Sequence, residues 1–269
     1  MESAARLWYP WPLKENLMSV NRGAANHSPE CREPPMDRIT NQKIAKRALA
    51  LGASCVGLVP VDTLGDSPSH RLYPAEIFQH GGSTVVILAL AHPPGQPEMD
   101  WWDNWQGGTP GNRRLVNINR RLVKWMRKKY AFEAFELPYQ VDRNGVFLKD
   151  AAILAGLGIM GRNNLLITPR YGPRVRLRAL LLNRSLPAAG PLEGFEPCKG
   201  CPAPCLSACP QDAFAGGSYN RERCQWQMRA NEAHPIALRS PVVGMTTKFK
   251  VAYCRLCELA CPVGDSDVP

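Results

Sequence analysis

No stretch of this chain approaches the roughly 20 consecutive apolar residues that a membrane-spanning helix needs, and the longest apolar run covers only 85–91. Residues 1–30 lack the apolar core of a secretory signal, and a twin-arginine export signal is missing as well. These absences point to a cytoplasmic protein with no membrane partner. Cysteine is almost missing before position 198, where only Cys31 and Cys55 occur. The other eight of ten lie between 198 and 261. A reducing cytoplasm disfavours a disulfide framework, so clustered cysteines read as metal or redox chemistry. Acidic residues are absent from 104 to 132, which leaves a strongly basic stretch.

The chain has 269 residues, 45% of them hydrophobic, and a formal charge of +10. That composition suits a globular protein of one large or two modest domains. Residues 1–37 read as an irregular tail with two tryptophans and several prolines, and Met36 reads as the true start. From there the periodicity is regular. Ile44, Ala45, Ala48, Leu49 and Leu51 recur at helical spacing up to Gly52. Residues 54–60 and 83–91 read as strands, the second a buried central one. Residues 99–112 read as an aromatic, glycine-rich loop, and 113–130 as a helix with Leu115, Ile118, Leu122 and Met126 on one face. A helix over 146–156, a turn and a strand over 174–183 complete an α+β (α/β-like) domain over 38–190. Prolines and glycines at 187–194 mark a boundary. The remaining segment, 191–269, is too short to build a large core without metal or another staple.

That segment holds Cys198-x2-Cys201-x3-Cys205-x3-Cys209-Pro210, then Cys224, then Cys254-x2-Cys257-x3-Cys261-Pro262. In bacterial two-cluster ferredoxins one short-spaced run supplies three ligands to one [4Fe–4S] cluster and a fourth to the other. The same crossover here groups Cys198, Cys201 and Cys205 with Cys261, and Cys209 with Cys224, Cys254 and Cys257. All eight are used. Two structural zinc sites are the alternative, because C-x2-C pairs also bind zinc. The x3 spacing before Cys205 departs from the ferredoxin pattern and implies a bulge at Pro202-Ala203-Pro204. Cys31 and Cys55 read as thiols with no cofactor role.

Residues 139–172 read YQVDRNGVFLKDAAILAGLGIMGRNNLLITPRYG. Glycines 156, 158 and 161 follow a helix, so they are no dinucleotide fingerprint, and a helix cap followed by a turn accounts for the spacing alone. The segment AGLGIMGRNNLLITPRYG resembles AGLGWxGKNxLLIxPxxG of the epoxyqueuosine reductases. Val141-Asp142 stands where that family has a V-D-S-A-P motif, and Arg71-x2-Pro74 resembles its R-x-D-P. The cysteine order also matches, and the likeness covers about 40–264. The double-cysteine pattern is shared with the related reductive dehalogenases.

The resemblance implies a nitroreductase-like cobalamin-binding domain followed by a two-[4Fe–4S] ferredoxin-like module. It implies reduction of epoxyqueuosine to queuosine in tRNA, with a Co(I) nucleophile and Asp142 as the carboxylic acid proton donor. Arg71, Gly158, Gly161, Arg162, Asn163, Asn164 and Thr168 would line the cobalamin site, with Trp226 and Tyr253 closing it. The clusters would need a low-potential electron donor of the ferredoxin or flavodoxin type. Departures are visible too. Asp142-Arg143-Asn144-Gly145 replaces D-S-A-P, and WWDNWQGGTPGNRR replaces a tyrosine-rich loop. The sequence ends soon after Cys261, so it reads as a short form lacking the family's C-terminal helical-repeat domain. Basic segments 113–129 and 170–178 are candidate tRNA contacts, and a solvated helix face is the plainer reading of such charge. Two alternatives keep the cofactors and change the role: a dehalogenase-like corrinoid reductase of a small molecule, or an electron-transfer protein that reactivates corrinoid proteins.

Overall fold

The computed structural model describes residues 36–73, 79–103, 108–238 and 248–264. Cys31, Pro74 and the N-terminal tail lie outside the described residues. Its centre is a four-stranded sheet in the order β1 (Cys55–Pro60), β2 (Thr84–Ala91), β7 (Val175–Leu182), β4 (Ala134–Glu136), with every pairing antiparallel. The expected central strand is therefore observed, since β2 is hydrogen-bonded on both sides.

Helices cover both faces, and the residue period of β2 shows why. Val85, Ile87 and Ala89 join one apolar cluster with Ala151, Ala152 and Ala155 of and just beyond α5 (Leu148–Leu154). Val86, Leu88 and Leu90 join the other with Ile44 and Ala48 of α1 (Met36–Ala50) and Leu115, Ile118, Leu122 and Met126 of α4 (Pro110–Tyr130). A strand buried on both faces must be apolar throughout, which produces the run at 85–91. α4 starts with Thr109 Oγ1 accepting from the Asn112 N–H at 3.2 Å and ends on a left-handed Ala131. Its buried Asn119 donates to the Ala179 carbonyl at 3.0 Å.

Two short helices, α2 (Val61–Leu64) and α3 (Pro68–Leu72), follow β1. β5 (Ile159–Met160) and β6 (Leu166–Ile167) form a small hairpin after α5. Beyond Leu182 no helix or strand intervenes before α6 (Pro204–Ser207). α7 (Arg221–Ala233), β8 (Ile236–Leu238), β9 (Lys248–Ala252) and α8 (Leu256–Leu259) complete the described chain.

One expectation is corrected. The aromatic segment after β2 is not only loop: Trp101 and Trp102 form strand β3, which pairs antiparallel with β9, placing Trp101 opposite Ala252 and Trp102 opposite Val251. The second sheet, β3-β9-β8, therefore crosses the boundary read at 187–194. A two-residue strand has no period to detect, and its partner lies about 150 residues away in the sequence. Among the described residues no helix is long and apolar enough to cross a membrane.

Candidate functional site: two groups of four cysteines

The cysteine loops fold around short helices. Each begins at a C-x2-C turn and enters a single helical turn, α6 after Cys201 and α8 after Cys254. The extra residue in the first loop is absorbed at Ala203, which is left-handed (φ 55°). That twist turns the Ala203 N–H back to donate to Cys201 Sγ at 3.4 Å. Asp212 is also left-handed, and nearby the Ala213 N–H donates to Cys209 Sγ at 3.3 Å. Non-glycine residues in this region cost about 1–3 kcal/mol each and persist where surrounding structure holds them. Amide bonds to sulfur are among the levers that tune iron–sulfur centres.

The eight thiols sort electrostatically into two sets. Burial pushes the Cys205 thiol up, and so do neighbouring Cys261, Cys198 and Cys201. Burial likewise raises Cys261, with Cys198 and Cys201 adding to it. In the other set, Cys257 is pushed up to about 12 by burial and by Cys254, Cys224, Glu258 and Cys209. Cys254 is raised by burial and then by Cys224 and Cys209. Tyr219 hydrogen-bonds Cys224, and burial is the main cause of its raised phenol. Such grouping is unfavourable for thiolates unless a cation neutralises them. A polymetallic centre does this by dispersing four ligands over several ions. Around one zinc, by contrast, all four sulfurs sit about 2.3 Å from a single point. Among the described residues no group of three or more His, Cys, Asp or Glu side chains is arranged to hold a metal ion. Cys55 stands apart, its thiol pushed up to about 11 by burial.

A buried ionic seam joins these loops to the sheet. Asp100 follows β2 on a 3-10 turn and accepts from His92 Nδ1 at 2.8 Å and Arg176 Nε at 2.9 Å. Its other oxygen pairs with Arg255 at 2.6 Å. Arg176 also reaches Glu258 at 2.9 Å, and Arg255 pairs with Glu258 and donates to the His92 carbonyl at 2.7 Å. Arg174 donates to the carbonyls of Cys261 at 3.3 Å and Val263 at 3.0 Å. Arg178 binds Asn112 Oδ1 and lies over the Tyr139 ring. Within the basic segment 170–178, Arg174, Arg176 and Arg178 have internal partners that the sequence places far away, while Arg170 is exposed. Seven basic residues of α4 are exposed (Arg114, Arg120, Arg121, Lys124, Arg127, Lys128 and Lys129). Arg120 is paired with Glu136, and Arg127 donates to the Ala134 carbonyl.

The hairpin β5–β6 sits against both cysteine sets. Asn163 is buried; its amide donates to the Cys257 carbonyl at 3.2 Å and its oxygen accepts from the Leu165 N–H. Arg162 reaches the Cys201 carbonyl at 3.5 Å. Gly158 and Gly161 are needed for the hairpin itself, since a Cβ at either would collide with Ile167. Thr168 is buried, donates to the Gly172 carbonyl and accepts from the Tyr171 N–H. Asn164 is left-handed, and its carbonyl accepts from Lys149 Nζ at 2.7 Å. Tyr253 donates to Glu232 at 2.7 Å, while Trp226 is exposed. Arg71 is exposed and pairs with Asp66 at 3.5 Å on the surface.

The residue set read as lining a corrin therefore divides. Gly158, Gly161, Asn163, Thr168 and Tyr253 each make contacts within the chain. Arg162, Asn164, Arg71 and Trp226 keep surface available to a ligand.

Asp142 lies exposed on a 3-10 turn (Val141–Arg143) closed by left-handed Asn144. Behind the same loop, at Phe147, stands a residue that sequence reading missed. His70 is buried, its Nε2 accepts from the Phe147 N–H at 3.2 Å, and its Nδ1 faces Ser67 Oγ at 2.8 Å. An accepting Nε2 requires the neutral ring with the proton on Nδ1. Burial lowers the His70 pKa to about 4. Asp150 accepts from the Ser69 N–H and hydroxyl, tying α3 to α5. A lone histidine 77 residues before its partner carries no pattern to betray this role.

No protein-family profile matches the chain. Among named proteins it is similar to the epoxyqueuosine reductase of Synechococcus sp., 32% identical over 193 residues, covering 70% of this chain and 56% of that protein. That of Lactococcus garvieae is 28% identical over 200 residues, covering 71% and 54%. That of Gloeobacter violaceus is 27% identical over 254 residues, covering 83% and 76%. The chain spans about half the length of the first of these relatives. Among solved structures, the epoxyqueuosine reductase of Streptococcus thermophilus superposes with TM-score 0.56 at 23% identity, covering 85% of this chain and 68% of that one. A catabolic reductive dehalogenase superposes with TM-score 0.51 at 19% identity, covering 70% and 29%. The mixed architecture with antiparallel sheets is thus that of both groups.

Proposed function

This chain is a relative of the epoxyqueuosine reductases, and on that premise we propose that it is a cytoplasmic iron–sulfur, cobalamin-dependent reductase of the same chemical kind, acting on epoxyqueuosine in tRNA. The observation that carries this reading is the grouping of cysteines from three separate segments into two sets of four. Cys198, Cys201, Cys205 and Cys261 would hold one [4Fe–4S] cluster. Cys209, Cys224, Cys254 and Cys257 would hold the other. We read 38–190 as the catalytic unit and 191–269 as the ferredoxin-like unit, with the boundary inside the proline- and glycine-marked stretch 187–194.

Cobalamin, when bound, would supply a strongly reducing, nucleophilic cobalt. Arg162, Asn164, Arg71 and Trp226 are the residues with surface to meet it; the glycines and Thr168 shape the hairpin behind them. The chain's own part in the chemistry is positional and protic. Asp142 would deliver a proton from its carboxyl to the opening epoxide oxygen. Its loop is fixed by the Gln140 carbonyl, which accepts from the Arg143 and Gly145 N–H groups, and by His70 on the Phe147 N–H. A donor carboxyl works best shielded from water. Asp142 is exposed, so that shielding has to come from the bound partner. The exposed cations of α4 offer a surface for the tRNA backbone, and the charge of +10 suits both RNA and an acidic ferredoxin- or flavodoxin-type donor.

Expression in a strain lacking epoxyqueuosine reductase tests the reading. Restored queuosine in tRNA supports it. Absent queuosine, with clusters and corrinoid both bound, instead assigns a small-molecule corrinoid reductase. Clusters without corrinoid uptake assign an electron-transfer protein.

A further inference from the structure

A cavity opens at the end of the sheet where β1 begins and β2 stops, and neither Asp142 nor any cysteine lines it. Its volume is about 370 Å³, enough for a small organic ligand. The turn from α1 into β1, the end of β2 with the turn beyond it, the start of α4 and the loop after β6 wall it. Arg114 of α4 and Arg170 of that loop both line it, and no acidic residue does. The Arg114 guanidinium rests against the left-handed turn at Gly52, where a Cβ would come within 3.7 Å of Nη2. The Arg170 guanidinium lies 5.4 Å from the centroid of the Tyr171 ring. Among the described residues neither arginine pairs with an acid. Ser54 also lines the cavity, and its Oγ accepts from the Ala91 N–H at 2.8 Å, which leaves the hydroxyl proton to donate. Leu90 and Met99, both buried, supply an apolar wall.

Two guanidinium groups with no carboxylate beside them carry two uncompensated charges. A phosphate monoester is a dianion near about pH 8 and neutralises both, whereas a carboxylate or a phosphodiester brings only one charge. Guanidinium forks also match phosphate oxygens in geometry. We propose that this cavity is a second ligand site, for a small phosphate monoester, with Arg114, Arg170 and Ser54 as its recognition groups. It uses none of the residues assigned to the clusters or to the corrinoid, so it stands or falls apart from them.

Calorimetric titration of the purified full chain with methyl phosphate, at about pH 8 and constant ionic strength, tests it. One methyl phosphate per chain is expected, bound at least about tenfold more tightly than acetate or dimethyl phosphate. No binding, or parity with either monoanion, overturns the proposal. Arg114→Gln and Arg170→Gln are each expected to weaken binding about tenfold or more with the melting temperature unchanged. Lys46→Gln removes an exposed charge from α1 that does not line the cavity, and is expected to leave binding as it was. Unweakened binding in the two arginine variants, or equal weakening in all three, overturns the proposal. Methyl phosphate that displaces cobalamin from loaded protein would place the cavity inside the cofactor site and overturns it as well.

Discussion

The sheet region and the cysteine region are built by opposite means. Between 55 and 182 the chain is held by carbon: β2 and β7 are packed on both faces, and Val86, Ile87, Leu88, Leu122 and Leu180 are fully buried. Among the described residues between 198 and 264 almost nothing apolar is covered. Ala203, Ala213, Phe214 and two of the cysteines are the buried apolar residues there, and α7 has none. A segment of that size gains little order from burial; the ionic seam to the sheet contributes to it, and the proposed clusters would supply the rest. The difference teaches that the first region is a scaffold, and on the proposed cluster reading the second is conditional on its cofactors.

The largest break in that comparison is loss of a sulfur ligand. Cys257→Ser is expected to lose about half the bound iron and to unfold 198–264, while the sheet keeps its cooperative transition. Metal analysis with hydrogen exchange checks this; loss of protection in β2 as well would contradict the separation. Next is Asp142→Asn, which is expected to lower turnover of epoxyqueuosine-containing tRNA by at least about a hundredfold with iron content and melting temperature unchanged. Third, Arg255→Met leaves the buried Asp100 and Glu258 with one fewer cation. It is expected to destabilise docking of the cysteine loop by about 3–5 kcal/mol, read as faster exchange at 254–261 with little change in β1 or β2.

The smallest effect is a pH dependence. His70 is neutral in the fold, with its pKa lowered to about 4 by burial, against about 6.5 unfolded. A lowered histidine pKa means that its stabilising contribution is complete above about 6.5. It falls as pH drops through 6.5 towards 4 and is constant below that, for a total loss of up to about 3 kcal/mol. Denaturation of the apoprotein between pH 7 and 4 measures it, and His70→Asn should flatten that slope.

What could be read from the sequence follows from how local each signal is. β1, β2, β7, α1, α4 and α5 all show their period within a single segment, and each is observed within a few residues of its expected span. The cysteine spacings are equally local, and the bulge at Ala203 falls where the extra residue demands it. The features that were not legible have partners outside their own segment. Arg176 and Arg178 looked like a free cationic face because Asp100, Glu258 and Asn112 are distant in sequence. Gly158 and Gly161 also have an internal role that the sequence hides, because Ile167, which they accommodate, lies across a hairpin too short to show a period. His70 gave no signal at all.

The central claim is that eight cysteines hold two four-iron clusters. Anaerobic purification with iron, zinc, cobalt and acid-labile sulfide analysis tests it most directly. The account predicts about eight irons and eight sulfides per chain, with a broad visible absorption that bleaches on reduction. Two zinc ions per chain with no sulfide would contradict it.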